Sequence, residues 1–210
     1  VWIGSANGLY LANGAILRNR AGSLFLIKGD DILAGNGEVH GRFENFGTIR
    51  KDGGLGITLV YQELTSSGPI DVRTGTLSIG GGGKQTGPLS ATAGAMVAFS
   101  GNPFDVAGTY SVVAETMVTN YGTVNFTATA QILGLGQKFS INPGNARFFT
   151  GDPVALTNLT LRNGTLGGSD PVTVFGSMSW GDYGRMEGSG VVDARTPVEL
   201  KTLEADVVID

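Results

Sequence analysis

Few side chains of this chain could carry acid–base or nucleophilic catalysis. His40 is the only histidine, and cysteine is absent. A Ser–His–Asp or Cys–His arrangement would therefore depend entirely on His40. The absence of cysteine also excludes a disulfide framework and Cys-ligated metals. We interpret His40 as a polar surface residue.

Paired carboxylates are a second chemistry that the chain could support. Glycoside hydrolysis needs two carboxyl groups about 5–10 Å apart on one face of the molecule. Asp52, Glu63 and Asp71 are the residues that a stack of strands could bring together, although the sequence does not show that they meet. These residues remain candidates that only a structure can test.

The order of Asp30–Asp31, His40 and Arg50–Lys51 resembles that of the carboxylates, histidine and cations in pectin-hydrolysing β-helices. The flanking residues and the spacing differ from that pattern, and Val39 stands where a glycine is expected before the histidine. The sequence therefore nominates no catalytic residue.

Residues 29–37 (Gly-Asp-Asp-Ile-Leu-Ala-Gly-Asn-Gly) resemble one copy of a calcium-binding nonapeptide repeat. Calcium needs several converging oxygens, which in that repeat come from adjacent copies. Asp30 and Asp31 are the candidate calcium ligands, but no second copy carries matching aspartates. An ordinary turn is the favoured interpretation, and no cofactor is required.

The aromatic residues are denser in the second half of the chain, where most should fill the core. An exposed aromatic ring can instead hold a sugar, because the ring is apolar while its edge or hydroxyl group is polar. Trp180 and Tyr183 are the best candidates for such a sugar-binding platform.

Composition narrows the class of protein. Gly accounts for 35 of 210 residues and hydrophobic residues for 41%, which indicates an all-β chain with many tight turns and a real core. Charged residues make up only 15%, with a net charge of -4 and no basic run, which argues against a nucleic-acid partner. No apolar run is long enough to span a membrane.

One short unit recurs down the chain. Residues 45–51 (Asn-Phe-Gly-Thr-Ile-Arg-Lys) form a turn, a Gly-Thr pair and a short alternating strand, and variants recur at 74–79, 107–112, 121–126 and 163–166. The strong units are about 20 residues apart on average, a period typical of solenoid repeats. A β-sandwich would be expected to show hairpin turns without one recurring unit.

The repeats predict an all-β fold, a right-handed parallel β-helix (β-solenoid) with roughly 20-residue rungs. We expect one segment over 1–210, with less regular rungs at 1–45, regular rungs at 46–195 and a final rung or cap at 196–210. The last stretch also fits a short amphipathic helix. About 9–10 rungs at ~4.8 Å each would make a rod of roughly 45 Å.

Ladders of like side chains should run along such a rod. The apolar residues expected to face inward are Ile49, Leu77, Val97, Val124, Phe126, Leu159, Leu161 and Leu166. Asparagine is expected at turns, where it tolerates a left-handed backbone and could stack into a ladder. These asparagines are Asn13, Asn36, Asn45, Asn120 and Asn163.

Segments 45–56, 67–77 and 164–190 resemble the degenerate β-strand repeats of very large secreted bacterial proteins, the adhesins and autotransporter passengers. The resemblance covers roughly residues 30–195 and implies a parallel β-helix at an extracellular or cell-surface location. It supplies no catalytic residue, because such repeats serve as stalks, adhesive surfaces and enzyme scaffolds.

These observations predict a structural or adhesive repeat segment, cut from a longer protein, without catalysis of its own. The expected partners are neighbouring segments of the same chain and an extracellular polysaccharide or cell-surface ligand. One alternative is a carbohydrate-active β-helix enzyme or a polysaccharide-binding module. A second is a subunit that assembles into filaments through its end rungs.

Overall fold

The chain consists of short segments in which apolar and polar residues alternate, and glycine and asparagine separate these segments. In a computed structural model, which describes residues 8–36 and 41–200, these segments form parallel strands of three to five residues. Three strands make one turn, and about nine turns stack on one another. The predicted β-solenoid with rungs of roughly 20 residues is confirmed, and its handedness stays a prediction.

The strands have the following bounds in chain order: β1 (Leu9–Ala12), β2 (Ile16–Asn19), β3 (Leu24–Ile27), β4 (Ile32–Asn36), β5 (Arg42–Asn45), β6 (Thr48–Lys51), β7 (Ile57–Val60), β8 (Glu63–Ser66), β9 (Ile70–Val72), β10 (Thr76–Ile79), β11 (Gly83–Gln85), β12 (Leu89–Ala91), β13 (Met96–Ser100), β14 (Phe104–Val106), β15 (Thr109–Val112), β16 (Glu115–Thr119), β17 (Gly122–Phe126), β18 (Gln131–Leu135), β19 (Lys138–Ile141), β20 (Gly144–Phe148), β21 (Val154–Leu156), β22 (Leu159–Arg162), β23 (Thr165–Gly168), β24 (Val172–Val174), β25 (Met178–Gly181), β26 (Arg185–Gly188), β27 (Val192–Ala194) and β28 (Val198–Leu200).

Every third strand joins the same sheet. The first sheet runs β1-β4-β7-β10-β13-β16-β19-β22-β25-β28, and the second runs β2-β5-β8-β11-β14-β17-β20-β23-β26. The third side of the solenoid is split into β3-β6-β9-β12-β15-β18 and β21-β24-β27. A register shift at Tyr110/Ser111 precedes this split, and it leaves Leu133 bulged outward. All the paired strands are parallel, as stacked rungs require.

The core is a set of apolar ladders inside the three sides of the solenoid. Leu77 pairs with Val97, and Ile79 pairs with Phe99, so like side chains lie one rung above another. All eight residues predicted to face inward are buried, which confirms the alternation read from the sequence. Aromatic rings fill the middle of the stack, where Phe126 and Phe148 are stacked with centroids 4.9 Å apart.

A polar ladder runs inside the corner between the second and third sheets. The Asn19 Nδ2 donates to Asn45 Oδ1 at 2.7 Å, and the Asn45 Nδ2 donates to Ser66 Oγ at 2.9 Å. In the next turn, the Gln85 Nε2 donates to the Gly68 carbonyl oxygen at 2.9 Å. Hydrogen bonding offsets the cost of burying the donors of these amides, whereas the buried Oε1 of Gln85 has no partner within the protein. This ladder contains only one of the five predicted asparagines.

Three of the other predicted asparagines do not join that ladder. Asn13, Asn120 and Asn163 lie in turns with φ between 47° and 52°, which confirms the left-handed conformation expected of turn asparagine. The backbone of Asn36 instead ends β4. The expectation that these asparagines could stack into a ladder with Asn45 is therefore wrong for Asn13, Asn120 and Asn163, because they lie at a different corner from Asn45.

Phe148 and Phe149 provide a test of the alternation. Phe148 is fully buried and stacks on Phe126, whereas Phe149 is 43% exposed. We expect Phe148→Ala to lower the free energy of unfolding by about 3–5 kcal/mol and Phe149→Ala by less than about 1 kcal/mol. Urea denaturation of both variants measures the difference. Equal losses would show that the described register is wrong.

Candidate functional site

A buried lysine lies where the sequence suggested a calcium site. The alternation of β6 turns Lys51 inward, between Ile27 and Val72 of the neighbouring turns, and its side chain is 0% exposed. Its Nζ donates to Asp30 Oδ1 at 2.8 Å, to the Gly29 carbonyl at 3.2 Å and to the Gly53 carbonyl at 3.0 Å. The cation that the three oxygens surround is therefore the Lys51 ammonium group, which is part of the protein.

Asp30 is held by donors on both of its carboxylate oxygens. Besides Lys51, the backbone N–H of Gly56 donates to Oδ2 at 2.8 Å. The hydrogen bond from Lys51, followed by that from Gly56, lowers the pKa of Asp30 below its ordinary value of 3.8. Calcium binding through Asp30 would have to displace the Lys51 ammonium group, and Asp31 is not among the oxygens that contact this group.

The carboxylates considered for glycoside hydrolysis do not all lie on one side of the solenoid. Asp71 lies on the third sheet, where Arg50 and Arg73 each approach its Oδ2 to 2.9 Å. Glu63 begins β8 of the second sheet, and Asp52 follows β6, with the Lys28 ammonium 3.9 Å away. Glu63 is therefore apart from the other two, whereas Asp52 and Asp71 lie on neighbouring turns, because β6 pairs with β9 and Arg50 is the strand partner of Asp71. Both of these carboxylates have a cationic side chain of the protein beside them. His40 lies outside the described residues.

Two other carboxylates do line one depression, between the second sheet and the β21-β24-β27 sheet, near β23 and β26. They are Asp170 and Glu187, and sequence reasoning did not single out either. The buried Asp170 accepts hydrogen bonds from the Thr150 hydroxyl group at 2.8 Å and the Gly151 N–H at 3.0 Å. Glu187 is paired with Arg147 at 3.2 Å. Both carboxylates thus have partners within the protein.

The outward face of the second sheet carries a column of alternating charge. Arg18 is paired with Glu44, at 2.7 Å, in the next turn, and Asn125 Nδ2 donates to Asp105 Oδ1 at 2.8 Å. The hydrogen bonds from Arg42 and then Arg18 lower the pKa of Glu44. Further along, Arg147 reaches over Gly167 to Glu187. Stacking therefore brings opposite charges together along the rod.

The two residues predicted to form a sugar platform differ in their environment. Trp180 continues the inward row of the first sheet, after Leu161, and is partly buried against the core, with its Nε1 donating to the Gly184 carbonyl oxygen at 2.7 Å. Tyr183 is 81% exposed at the corner that follows β25. Of this pair, only Tyr183 presents its ring to solvent.

A second tyrosine, which the sequence analysis did not single out, occupies the same kind of turn as Tyr183. Tyr121 is 80% exposed with φ 60°, after Asn120 with φ 50°, and Tyr183 has φ 62°, after Asp182 with φ 49°. In the first turn, Asn13 and Gly14 have the same left-handed conformation, at φ 52° and 73°. Asn-Gly is the pair that suits such a turn, because β-carbons disfavour positive φ.

The ion pair between Asp30 and Lys51 predicts a specific acid dependence of stability. A carboxyl group whose pKa is lowered by folding stabilises the fold above its unfolded pKa, and this stability is lost as the pH falls through the folded value. We expect Asp30→Asn to lower the free energy of unfolding by about 1–2 kcal/mol at pH 7, discounted for partial exposure. The difference from wild type should shrink below pH 3.8.

Denaturation with urea at pH 7 and at pH 3 measures this dependence, since ~3 lies below the ordinary aspartate pKa. Asp31→Asn is the matched control, because its carboxylate does not contact the Lys51 ammonium group. A loss that is the same at both pH values would show that the charge of Asp30 does not stabilise the fold.

The tyrosine turns predict that a smaller residue fits them better. We expect Tyr121→Gly and Tyr183→Gly to leave the free energy of unfolding unchanged or to raise it by up to about 1 kcal/mol, because glycine relieves the left-handed strain. Thr123→Gly in β17 should lower it by roughly 0.5–1 kcal/mol. Thermal and urea unfolding of the three variants compare them. A loss at the tyrosines equal to that at Thr123 would mean that their rings stabilise the fold.

Comparison with protein families, with curated proteins and with solved structures finds no match for this chain. Within residues 8–36 and 41–200, no helix is long and apolar enough to cross a membrane. Over the same residues, His, Asp and Glu form no group of three that could hold a metal ion. The parallel β-solenoid and its repeated turns are thus what the sequence and the geometry establish.

Proposed function

We propose that this chain is a structural or adhesive repeat segment of an extracellular or cell-surface protein, with no catalysis of its own. The supporting observation is that charged side chains pair with one another across turns, as Arg18 does with Glu44 and Arg50 with Asp71. An enzyme acting on polysaccharide needs carboxylates that are free to reach a substrate. In this chain the paired charges instead neutralise one another on the surface of the rod.

The architecture suits a stiff spacer. Each turn is joined to the next by backbone hydrogen bonds along three sides, and the apolar ladders continue from turn to turn. In such a repeat structure each turn contacts mainly its neighbours, so length can be added without redesigning the core. A rod of this kind holds whatever its surface binds at a fixed distance from its attachment point.

The depression that contains Asp170 and Glu187 favours one competing function, a carbohydrate-active enzyme. Two carboxylates beside a cavity are the arrangement that glycoside hydrolysis uses. Their partners Thr150 and Arg147 would have to release them first. This hypothesis therefore names the two residues whose substitution would abolish activity if the chain were an enzyme.

An assay of polysaccharide cleavage separates the two proposals. The purified chain is incubated with pectate, alginate, xylan and soluble cellulose, and new reducing ends and unsaturated uronates are measured. We expect no release above the buffer control, and an elongated particle by small-angle X-ray scattering. Release of sugars that is abolished by Asp170→Asn and by Glu187→Gln, but not by Asp152→Asn, would overturn the non-catalytic proposal.

The proposed location has a separate test. Antibodies raised against the chain should label intact cells of the organism that produces it, or its culture medium. Labelling that requires permeabilised cells would contradict an extracellular or cell-surface location.

A further inference from the structure

Four residues from successive turns lie one above another at the corner between the first and second sheets. Strand register aligns the glycines that follow them, because Gly122 pairs with Gly144, and the next two turns keep this alignment. The residues just before these glycines are Tyr121, Pro143, Asn163 and Tyr183, which we call the tyrosine column. The Tyr121 N–H donates to the Pro143 carbonyl oxygen at 3.0 Å, so these two members are in direct contact, and the Asn163 N–H donates to the carbonyl oxygen of Asp182, the residue before Tyr183, at 2.7 Å.

The two tyrosines are unfavourable for folding and contribute little to the core. Both have positive φ, which bulky residues rarely adopt, and both are about four-fifths exposed. Gly14 shows that a glycine serves the same kind of turn elsewhere in this chain. Backbone strain that brings no burial is a reason to look for function. A ligand that contacts the rings would explain their presence.

The shape of the column indicates a linear ligand. Tyr121 and Tyr183 are three rungs apart, or roughly 14 Å at ~4.8 Å for each rung, a distance that spans several sugar residues of an extended chain. Pro143 lies between the rings and adds a third apolar ring. A row one residue wide offers far less than the ~800 Å² per partner that a stable protein interface buries.

The neighbouring side chains indicate a ligand rich in hydroxyl groups. The outward row beside the column consists of Thr123, Asn145, Thr165 and Arg185, which supply hydroxyl, amide and guanidinium groups. The charge of Asp182, next to Tyr183, is compensated by Arg162 at 3.5 Å. Polar groups that fix orientation beside apolar surface are typical of sites for small polar ligands.

We propose that the tyrosine column binds an extended, uncharged, β-linked polysaccharide that lies along the solenoid axis. The apolar C–H faces of the sugars stack on the rings of Tyr121 and Tyr183, and their hydroxyl groups bond to the Thr123 row. This inference rests on the adhesive form of the proposed function and gives it a ligand. No bond is made or broken.

The test measures retardation of the 210-residue chain in native gels that contain hydroxyethyl cellulose, an uncharged extended polymer. Dextran, which is uncharged but flexible, and polygalacturonate, which is extended but charged, serve as comparison polymers. The variant Tyr121→Gly/Tyr183→Gly should bind hydroxyethyl cellulose at least tenfold more weakly, with a melting temperature no lower than that of the wild type. Tyr10→Ser, which removes a half-exposed ring from the first sheet, should bind like the wild type.

The inference would be overturned by no retardation of the wild type by hydroxyethyl cellulose, by equal retardation of the wild type and the double variant, or by equal weakening by Tyr10→Ser. Retardation by polygalacturonate alone would also overturn it, since the ligand would then be selected by charge. Each of these failures leaves the cleavage and scattering results unchanged, so failure of the inference is distinguishable from failure of the proposed function.

Discussion

The close stacking of parallel turns is the constraint on which the rest of this structure depends. Neighbouring strands lie about 4.8 Å apart, so a corner residue meets the backbone of the next turn directly. A β-carbon at Gly68 would lie 1.8 Å from the Gly47 carbonyl oxygen, and one at Gly83 would lie 2.2 Å from that of Leu64. Only glycine can occupy such positions, and this explains much of the chain's high glycine content.

Stacking also decides which polar groups meet. Lys51 can be buried because Gly29 and Asp30, from the preceding turn, supply oxygens that accept hydrogen bonds from its ammonium group. Asn19 and Asn45 satisfy each other for the same reason. Interactions between residues about 20 positions apart are therefore nearest-neighbour interactions in space. This makes the stack regular and pairs most charged side chains of residues 8–36 and 41–200 with an opposite charge.

With most charges paired, the unusual features of the surface are its exposed aromatic turns. Asn120–Tyr121 and Asp182–Tyr183 place bulky residues in a conformation that Asn13–Gly14 adopts without strain. Selection for stability alone would favour glycine at both tyrosine positions. At these two positions the fold loses stability and gains an exposed ring, and an exposed ring is what the proposed adhesive role would use.

The amino-acid sequence by itself determined the strands, the period and the inward residues, because alternation and turn chemistry are local. It did not determine which sheet each repeat joins: Gly47–Thr48 leads into the third sheet, Gly75–Thr76 into the first and Gly122–Thr123 into the second. That choice depends on the length of each corner. The tertiary structure was therefore needed to show that Trp180 points inward and that Tyr121 aligns with Tyr183. The Asn/Asp-Tyr-Gly pattern that the two tyrosines share was a signal of this alignment in the sequence.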